Sequence, residues 1–237
     1  MSATPQRQRL VLFDIDGTLL WSDGAGRRAI HRALIDVFGA TGPEDHRFDG
    51  KTDPQIVREL MSVVGHDDAH IDSRMPELFE RYVVALRVEL RDPAHCAKSL
   101  PGVNTLLDVL SRHGDVTLGL LTGNLIEGAR AKLKAVGIDP TMFLVGAYGS
   151  DHELRPELPA IAQRRAREEL GLEIPGRDVV VIGDTPADVE CGRDIGARAI
   201  GVGTGRYPVD VLLAHGAFAA FPDLSDTDAV LHAILAD

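Results

Sequence analysis

The sequence is poor in aromatic residues and in positive charge. Only 5% of its 237 residues are Phe, Trp or Tyr, which leaves little to stack on nucleobases or to anchor in a membrane interface. The formal net charge is −11, and an acidic chain repels the phosphates of nucleic acids and of anionic lipids. We therefore expect neither a nucleic acid nor a membrane as a partner.

Cysteines and long apolar runs are also scarce. Cys96 and Cys191 are the only two cysteines, too few for a disulfide framework. No apolar run approaches the length that spans a bilayer, and the first ten residues contain no apolar segment of the signal-peptide type. These absences predict a cytoplasmic protein with two free thiols. They leave its oligomeric state open between a monomer and a homodimer.

Short apolar segments alternate with helical ones over most of the chain. Strands are predicted at residues 9–13, 116–121, 143–147, 179–182, 199–202 and 217–221. Most of these segments are apolar throughout, which is typical of parallel strands that are covered on both faces. Helices are predicted between them at residues 125–136, 157–170 and 187–195, each followed by a glycine. The alternation predicts an α/β fold with a doubly wound, Rossmann-like parallel sheet.

Residues 22–98 follow a different pattern. Helices are predicted at residues 23–38, 54–64 and 76–90, and no strand is evident among them. We expect Asp53 to cap the second of these helices, because Pro54 suits its first position. An all-helical block after the first strand of an α/β core predicts an inserted cap domain. We place this cap domain at residues 22–98 and the core domain at residues 1–21 and 99–237.

Two acids follow the first predicted strand, within the letters DIDGT at residues 14–18. In open α/β sheets, ligands bind beyond the carboxyl ends of the strands. Asp14 and Asp16 are costly at such a place unless they bind a cation or transfer protons. A turn that caps a helix is the alternative interpretation, since Asp and Gly are common in turns.

A second acidic pair follows the predicted strand at residues 179–182, within the letters GDTPAD at residues 183–188. Asp184 supplies hard oxygen ligands, the kind that magnesium prefers. Asp188 starts a helix four residues later and faces the same side, so it is suited to orient a ligand or a water molecule. Its alternative role is that of an acid at a helix N-terminus, where it interacts favourably with the helix dipole. The two roles are compatible.

Two further segments are candidates for contacts with an anion. Thr122, Gly123 and Asn124 follow a predicted strand, where a hydroxyl group and backbone N–H groups are able to bind a phosphate. The alternative is a helix N-cap by Thr122 or Asn124. Arg155 precedes a proline that opens a helix, and a cation there would neutralise a phosphoryl group at the sheet edge. An ordinary surface arginine is the alternative.

In their order along the chain, these motifs resemble those of the haloacid dehalogenase-like hydrolase superfamily, and within it the phosphoglycolate-phosphatase-like phosphatases with a helical cap. The resemblance implies that Asp14 is the nucleophile and that Asp16 is the general acid and base. It implies Mg²⁺ held by the Asp14 side chain, the Asp16 carbonyl group and Asp184, and a hydrogen bond from Thr122 to the phosphoryl group. The family usually has a lysine where Arg155 aligns, and the planar guanidinium changes the geometry of that cation.

The resemblance further implies a reaction. An alkoxide leaving group needs a proton, so Asp16 favours hydrolysis of a small phosphate monoester, through an aspartyl-phosphate, over dehalogenation. Lys51 and Thr52 lie in a segment that resembles the specificity loop of the family's caps; a simple helix-opening loop is the alternative. Two rival functions stay open, a phosphomutase of the same superfamily and a non-catalytic phospho-acceptor or binding protein.

Overall fold

The computed structural model describes residues 7–236, which form eight β-strands and nine α-helices. The strands are β1 (Arg9–Phe13), β2 (Leu20–Trp21), β3 (Lys98–Ser99), β4 (Val116–Thr122), β5 (Val145–Tyr148), β6 (Val179–Gly183), β7 (Arg198–Val202) and β8 (Ala219–Phe221). The helices are α1 (Ala25–Phe38), α2 (Asp53–Val63), α3 (Asp68–Glu89), α4 (Val103–Ser111), α5 (Ile126–Ala135), α6 (Leu158–Leu170), α7 (Pro186–Cys191), α8 (Val209–Ala214) and α9 (Thr227–Leu235). Within residues 7–236, no helix is both long and apolar enough to cross a membrane.

Six of the strands form one parallel sheet in the order β5-β4-β1-β6-β7-β8. β1 is central, paired with β4 on one side and β6 on the other, and all five of its residues are buried. The chain extends the sheet from β1 first in one direction and then in the other, so the strand order reverses beside β1. The predicted doubly wound α/β fold is confirmed. The segments that follow β1, β4 and β6 meet at one edge of the sheet.

Alternate residues of β1 serve the two faces of the sheet. Val11 and Phe13 belong to a hydrophobic cluster that includes buried residues of α4, α5 and α9. Leu10 and Leu12 belong to a second cluster, which α6 closes with buried side chains such as Leu158. Both faces are therefore covered, which explains why the strands are apolar throughout and do not alternate.

Helices α1, α2 and α3 pack around a hydrophobic cluster of their own. Leu34, Leu60 and Leu78, one from each helix, are fully buried in it. The three helices lie between β2 and β3, which pair in antiparallel fashion where the chain enters and leaves this helical block. The division into a core and a cap at residues 22 and 98 stays a prediction.

The structure departs from the predicted elements at several places. α3 begins at Asp68 and not at Pro76, because the Asp67 side chain caps the helix by accepting from the His70 N–H at 2.7 Å. Pro76 lies inside this helix, which continues through it at the cost of one backbone hydrogen bond. In the core, the helix predicted at 187–195 is instead α7 followed by a 3₁₀ turn at Arg193–Ile195. β2 and β3 have two residues each, too few to show a periodic pattern in the sequence.

Candidate active site

The loop after β1 places two acids at the carboxyl edge of the sheet. The Asp14 N–H donates to Ile182 O of β6 at 2.9 Å, and the Asp14 side chain is almost fully buried. The chain then turns back, and Ile15 O accepts a hydrogen bond from the Leu19 N–H at 2.9 Å. This turn fixes Asp14 and Asp16 against the ends of neighbouring strands.

Arg155 lies beside Asp14 at the same edge. Its guanidinium is buried, with Nη2 at 3.0 Å from Asp14 Oδ1 and in an ion pair with Asp188 Oδ1. Nη2 also donates to Leu121 O of β4 at 3.4 Å. Arg155 Nε is buried without a hydrogen-bond partner among the described residues, so a donor is left for an anion. Arg155 is therefore not the surface arginine of the alternative interpretation.

Asp188 combines the two roles that the sequence analysis left open. Its Oδ2 atom accepts from the Thr185 N–H at 2.9 Å and from Thr185 Oγ1 at 2.7 Å, which completes a capping box at the start of α7. Its Oδ1 atom pairs with Arg155. One carboxylate thus caps a helix and orients the guanidinium that contacts Asp14.

Buried acids outnumber buried cations at this point. One carboxylate oxygen from each of Asp14, Asp184 and Asp188 lies within 4.8 Å of the others. Three carboxylates against the guanidinium of Arg155 leave a formal excess of two negative charges. A divalent cation would balance that excess, and Mg²⁺ prefers oxygen ligands of this kind. Because both Asp188 oxygens already have partners, Asp14 and Asp184 are the acids best placed to hold it.

The crowding of these acids shifts their pKa values. Burial raises the pKa of Asp14 to about 6, with Arg155 acting in the opposite direction and Asp188 adding to the rise. Burial, followed by the charges of Asp188 and Asp14, raises the pKa of Asp184 well above its ordinary value. Ionised carboxylates in such a place cost free energy unless a cation joins them. The donor set and its charge therefore fit a divalent metal ion.

Two glycines make room for the Asp184 carboxylate. A Cβ atom at Gly17 would lie 2.5 Å from Asp184 Oδ2, and one at Gly205 would lie 1.8 Å from the same atom. Gly17 also has a φ of 84°, a left-handed conformation that other residues rarely adopt. Thr18 Oγ1 donates to Asp184 Oδ1 at 3.1 Å. The loop after β7, which holds Gly205, thus borders the site as well.

Asp16 belongs to a separate, closely paired group. Its Oδ2 atom accepts from Lys132 Nζ at 2.6 Å and from Asn124 Nδ2 at 2.8 Å, and its Oδ1 atom accepts from Ser22 Oγ at 3.2 Å. Burial would raise the pKa of Asp16, but the ammonium group and these hydrogen bonds hold it below its ordinary value. At neutral pH the Asp16 carboxylate is therefore ionised in this arrangement.

Lys132 is a site residue that the sequence reasoning missed. It lies on α5 with a side chain that is 5% exposed, and Nζ also donates to Asn124 Oδ1 at 2.6 Å. A signal was present in the sequence, because Lys132 lies beside Ala129 and Leu133 on the buried face of its helix. A lysine at such a position is rare unless it is paired.

The predicted phosphate-binding segment lies at the end of β4, in contact with the helical block. Thr122 is fully buried, and its Oγ1 atom accepts from the Asn124 N–H at 3.3 Å and from Asn124 Nδ2 at 2.8 Å. The Thr122 hydroxyl hydrogen remains to be donated, as a phosphoryl oxygen requires. A Cβ atom at Gly123 would lie 2.1 Å from Lys51 O, so this close approach requires glycine.

Lys51 and Thr52, the predicted specificity residues, have different surroundings. Lys51 borders the cavity between the helical block and the core, but its ammonium group pairs with Glu59 of α2. Thr52 is fully buried, and its Oγ1 atom donates to Glu153 O of the core at 2.6 Å. Lys51 is thus engaged within the helical block, and Thr52 holds that block to the core.

Asp53 does not have the predicted role. Thr52 is the N-cap of α2, so the assignment of the cap to Asp53 was wrong. Asp53 is the first residue of the helix, and it connects the helical block to the core twice. Its N–H donates to Gly123 O at 2.7 Å, and its Oδ2 atom accepts from the Leu125 N–H at 2.8 Å. The sequence pattern did not distinguish a cap from a residue whose carboxylate points away from its own helix.

A cavity of about 710 Å³ lies between the helical block and the core, lined by the acids and by residues of α1 and α2. Its volume is in the range of small-molecule sites. Arg27 of α1 lines this cavity with no carboxylate partner among the described residues. Its guanidinium donates to His46 O at 2.9 Å and stacks over the Phe48 ring at 3.8 Å. The sequence reasoning missed Arg27, which looks like any polar residue of an amphipathic helix.

Comparison with known proteins identifies the family. The sequence model of the haloacid dehalogenase-like hydrolase family matches residues 11–193, more than half of the chain. The chain therefore belongs to this family, as its motifs predicted. Within the family it is similar to phosphoglycolate phosphatase of Cereibacter sphaeroides, with 28% identity over 222 residues, 91% of this chain and 95% of that protein.

Solved structures share the fold. A hydrolase from Pseudomonas syringae has a TM-score of 0.72 and 24% identity, and the match covers 97% of this chain and 100% of that one. CbbY from Rhodobacter sphaeroides, in complex with phosphate, has a TM-score of 0.70 and 20% identity, and the match covers 92% of this chain and 96% of that one. The doubly wound core and the helical block thus recur together in other proteins.

The buried Asp53 carboxylate predicts a pH-dependent stability. Burial raises its pKa to about 6, partly offset by Lys132. The folded chain then binds this proton more tightly than the unfolded chain. The resulting stabilisation is complete below about pH 4 and is lost as the pH rises through about 6. Asp53→Asn removes the titration and keeps an oxygen for the Leu125 N–H. We expect its melting temperature to rise relative to the wild type between about pH 4 and pH 7.

Differential scanning calorimetry in the presence of a chelator measures this change. Asp36→Asn, at an exposed position of α1, is the control and should show a constant offset from the wild type. A constant offset for Asp53→Asn as well would contradict a raised pKa at residue 53.

Proposed function

We propose that this chain is a cytoplasmic, magnesium-dependent phosphatase that hydrolyses a small phosphate monoester through an aspartyl-phosphate on Asp14. The observation that carries the proposal is the surroundings of Asp14. It is a buried carboxylate at the end of the central strand, 3.0 Å from the Arg155 guanidinium and grouped with Asp184. Membership of the family and the similarity to phosphoglycolate phosphatase support this class of reaction. Both cysteines are free thiols, in keeping with a reducing compartment.

In the first half-reaction, Asp14 is the nucleophile. One of its carboxylate oxygens attacks the phosphorus atom, the ester P–O bond breaks, and the alkoxide leaves with a proton from Asp16. Arg155 and the Thr122 hydroxyl group donate to the phosphoryl oxygens and stabilise the charge of the transition state. Asp14, the Asp16 carbonyl group and Asp184 would hold Mg²⁺, which would offset the repulsion between carboxylate and phosphate.

In the second half-reaction, Asp16 changes role. Its carboxylate takes a proton from water, the water oxygen attacks the phosphorus atom, and Asp14 and inorganic phosphate are released. The free protein suits this step because, despite burial, the Lys132 ammonium group holds the Asp16 pKa low and the carboxylate ionised. The first step needs the protonated acid, and the negative charge of a phosphoryl group bound beside Asp16 raises its pKa toward that state.

The cavity favours a substrate with a second anionic group. Among the cations that line the cavity, Lys51, Lys132, Arg155 and Arg206 pair with carboxylates, whereas Arg27 and the exposed Lys98 have no such partner among the described residues. Of these two, only Arg27 has a guanidinium group. A planar guanidinium binds a carboxylate or a phosphate in bidentate fashion. Phosphoglycolate, the substrate in the name of the Cereibacter sphaeroides relative, is a phosphate monoester with a carboxylate. We therefore extend the proposal to substrates of this class.

Asp14→Asn tests the nucleophile. An amide does not attack phosphorus, so we expect phosphate release to fall by more than about 10³-fold. The fold should persist, because Asn is isosteric with the acid and relieves the crowding of charges. Asp36→Asn serves again as the matched control and should keep full activity. Turnover in purified Asp14→Asn would refute the assignment of the nucleophile.

The metal requirement is tested by phosphate release from phosphoglycolate, sugar phosphates, a nucleotide and p-nitrophenyl phosphate, with Mg²⁺ and with EDTA. We expect release with Mg²⁺ only. Asp184→Asn should raise the Mg²⁺ concentration needed for half-maximal activity, because it removes a charged ligand. Isomerised sugar phosphate without free phosphate would indicate a mutase. A stable phosphoryl adduct without turnover would indicate a phospho-acceptor.

Arg27→Met tests the substrate class. Losing a charge-assisted hydrogen bond should raise the KM for phosphoglycolate by about 10-fold or more. The kcat/KM for p-nitrophenyl phosphate should change little, because this ester has no second anion. Arg81→Met, at a side chain of α3 that is 49% exposed, is the control. Equal losses on both substrates would argue against a contact between Arg27 and the substrate.

A further inference from the structure

Lys132 is a buried cation that neither forms a bond nor transfers a proton in the two half-reactions. Its Nζ atom lies 2.6 Å from Asp16 Oδ2 and 2.6 Å from Asn124 Oδ1. Asn124 Nδ2 lies 2.8 Å from the same Asp16 oxygen. The three side chains form a triangle in which each contacts the other two. Burying an ammonium group costs free energy, and the pairing with Asp16 offsets that cost. An apolar side chain would fill the same space without the cost, so packing alone does not explain a lysine at this position.

The triangle treats the two Asp16 oxygens differently. Oδ2 accepts from both the ammonium group and the amide, whereas Oδ1 accepts a longer hydrogen bond from Ser22 Oγ, at 3.2 Å. Fixing Oδ2 stops rotation of the carboxylate about its Cβ–Cγ bond. Asp16 lines the cavity, and Oδ1 is its oxygen with the weaker contact.

We propose that Lys132 is a positioning residue for Asp16. Its ammonium group anchors Oδ2, so that Oδ1 is aligned with the ester oxygen in the first half-reaction and with the water molecule in the second. The inference rests on the proposed phosphatase function. Misplacement of a proton donor by a small distance is costly in rate, because proton transfer requires hydrogen-bond geometry.

Lys132 is itself enclosed by the helical block. A Cβ atom at Gly26 of α1 would lie 3.3 Å from Lys132 Nζ and 3.8 Å from the Tyr82 hydroxyl oxygen of α3. The Lys132 charge also acts on Asp53 of α2. The ammonium group thus lies where all three helices of the block meet the core. Alignment of Asp16 therefore depends on the block being seated on the core.

Comparing substrates with different leaving groups distinguishes a loss of Asp16 positioning from a general disturbance of the site. Nitrophenolate leaves without a proton, whereas an alkoxide needs one. In single-turnover experiments, we expect Lys132→Met to slow cleavage of phosphoglycolate by about 10²-fold and to leave the first release of p-nitrophenol nearly unchanged. Because hydrolysis of the aspartyl-phosphate still needs Asp16 as a base, p-nitrophenol should appear in a burst, and labelled phosphoenzyme should accumulate.

A double-mutant cycle tests whether Lys132 acts through Asp16. In an Asp16→Asn background, Lys132→Met should cause little further loss, because the effects of residues that act as a unit do not add. A full additional loss would overturn the proposal.

Lys134→Met provides the matched control, since it makes the same substitution at an exposed position of the same helix and should behave as the wild type. If Lys132→Met does not fold, Lys132→Gln keeps a donor for Asp16 and should show a weaker form of the same pattern. Unchanged kinetics of Lys132→Met, or equal losses in the first step with both substrates, would overturn the role of Lys132 but leave the proposed phosphatase function standing. Absence of phosphate release by the wild type from every substrate would overturn the proposed function, and this inference with it.

Discussion

The separate pairing of two neighbouring acids is the constraint on which the site depends. Asp14 pairs with Arg155, and Asp16, two residues later, pairs with Lys132. Burial would otherwise favour the neutral form of both carboxyl groups. The two cations come from different elements, Arg155 from the turn before α6 and Lys132 from α5. Their separation lets burial raise the pKa of Asp14 while that of Asp16 stays low. A cation beside Asp14 and a phosphoryl group beside Asp16 would shift both values toward the ionised nucleophile and the protonated acid that the first half-reaction needs.

The helical block completes this electrostatic arrangement. Its contacts with the core involve backbone groups, from the Asp53 N–H to Gly123 O at 2.7 Å and from Thr52 Oγ1 to Glu153 O at 2.6 Å. Such contacts hold the block close over the sheet edge. Charges that are shielded from bulk water interact more strongly than exposed ones. The block therefore affects the site through the burial of Asp14 and Lys132 as well as through the residues that line the cavity.

The fold and the acids could be predicted because both are local patterns. An apolar run followed by DIDGT or GDTPAD predicts a buried strand and identifies the residues at its carboxyl end. The carboxyl ends of parallel strands lie at the same edge of the sheet, so these residues are expected to lie close together. Lys132 and Arg27 could not be found in this way, since each reaches the cavity from one face of a helix whose orientation is set by tertiary packing. The role of Asp53 was predicted wrongly for a related reason, because its hydrogen-bond partner, the Leu125 N–H, is 72 residues away in the sequence. Local rules assigned it to its own helix instead.

The paired strands β2 and β3 have a mechanical consequence. Both connections of the helical block run side by side as one two-stranded ribbon, with Leu20 opposite Ser99 and Trp21 opposite Lys98. A body attached by two adjoining strands bends about a single line, whereas one on a single tether swivels freely. Asp16 lies only four residues before this ribbon, so it is near the axis of bending. Bending about that line would displace the distant rim of the cavity most and the reactive acids least.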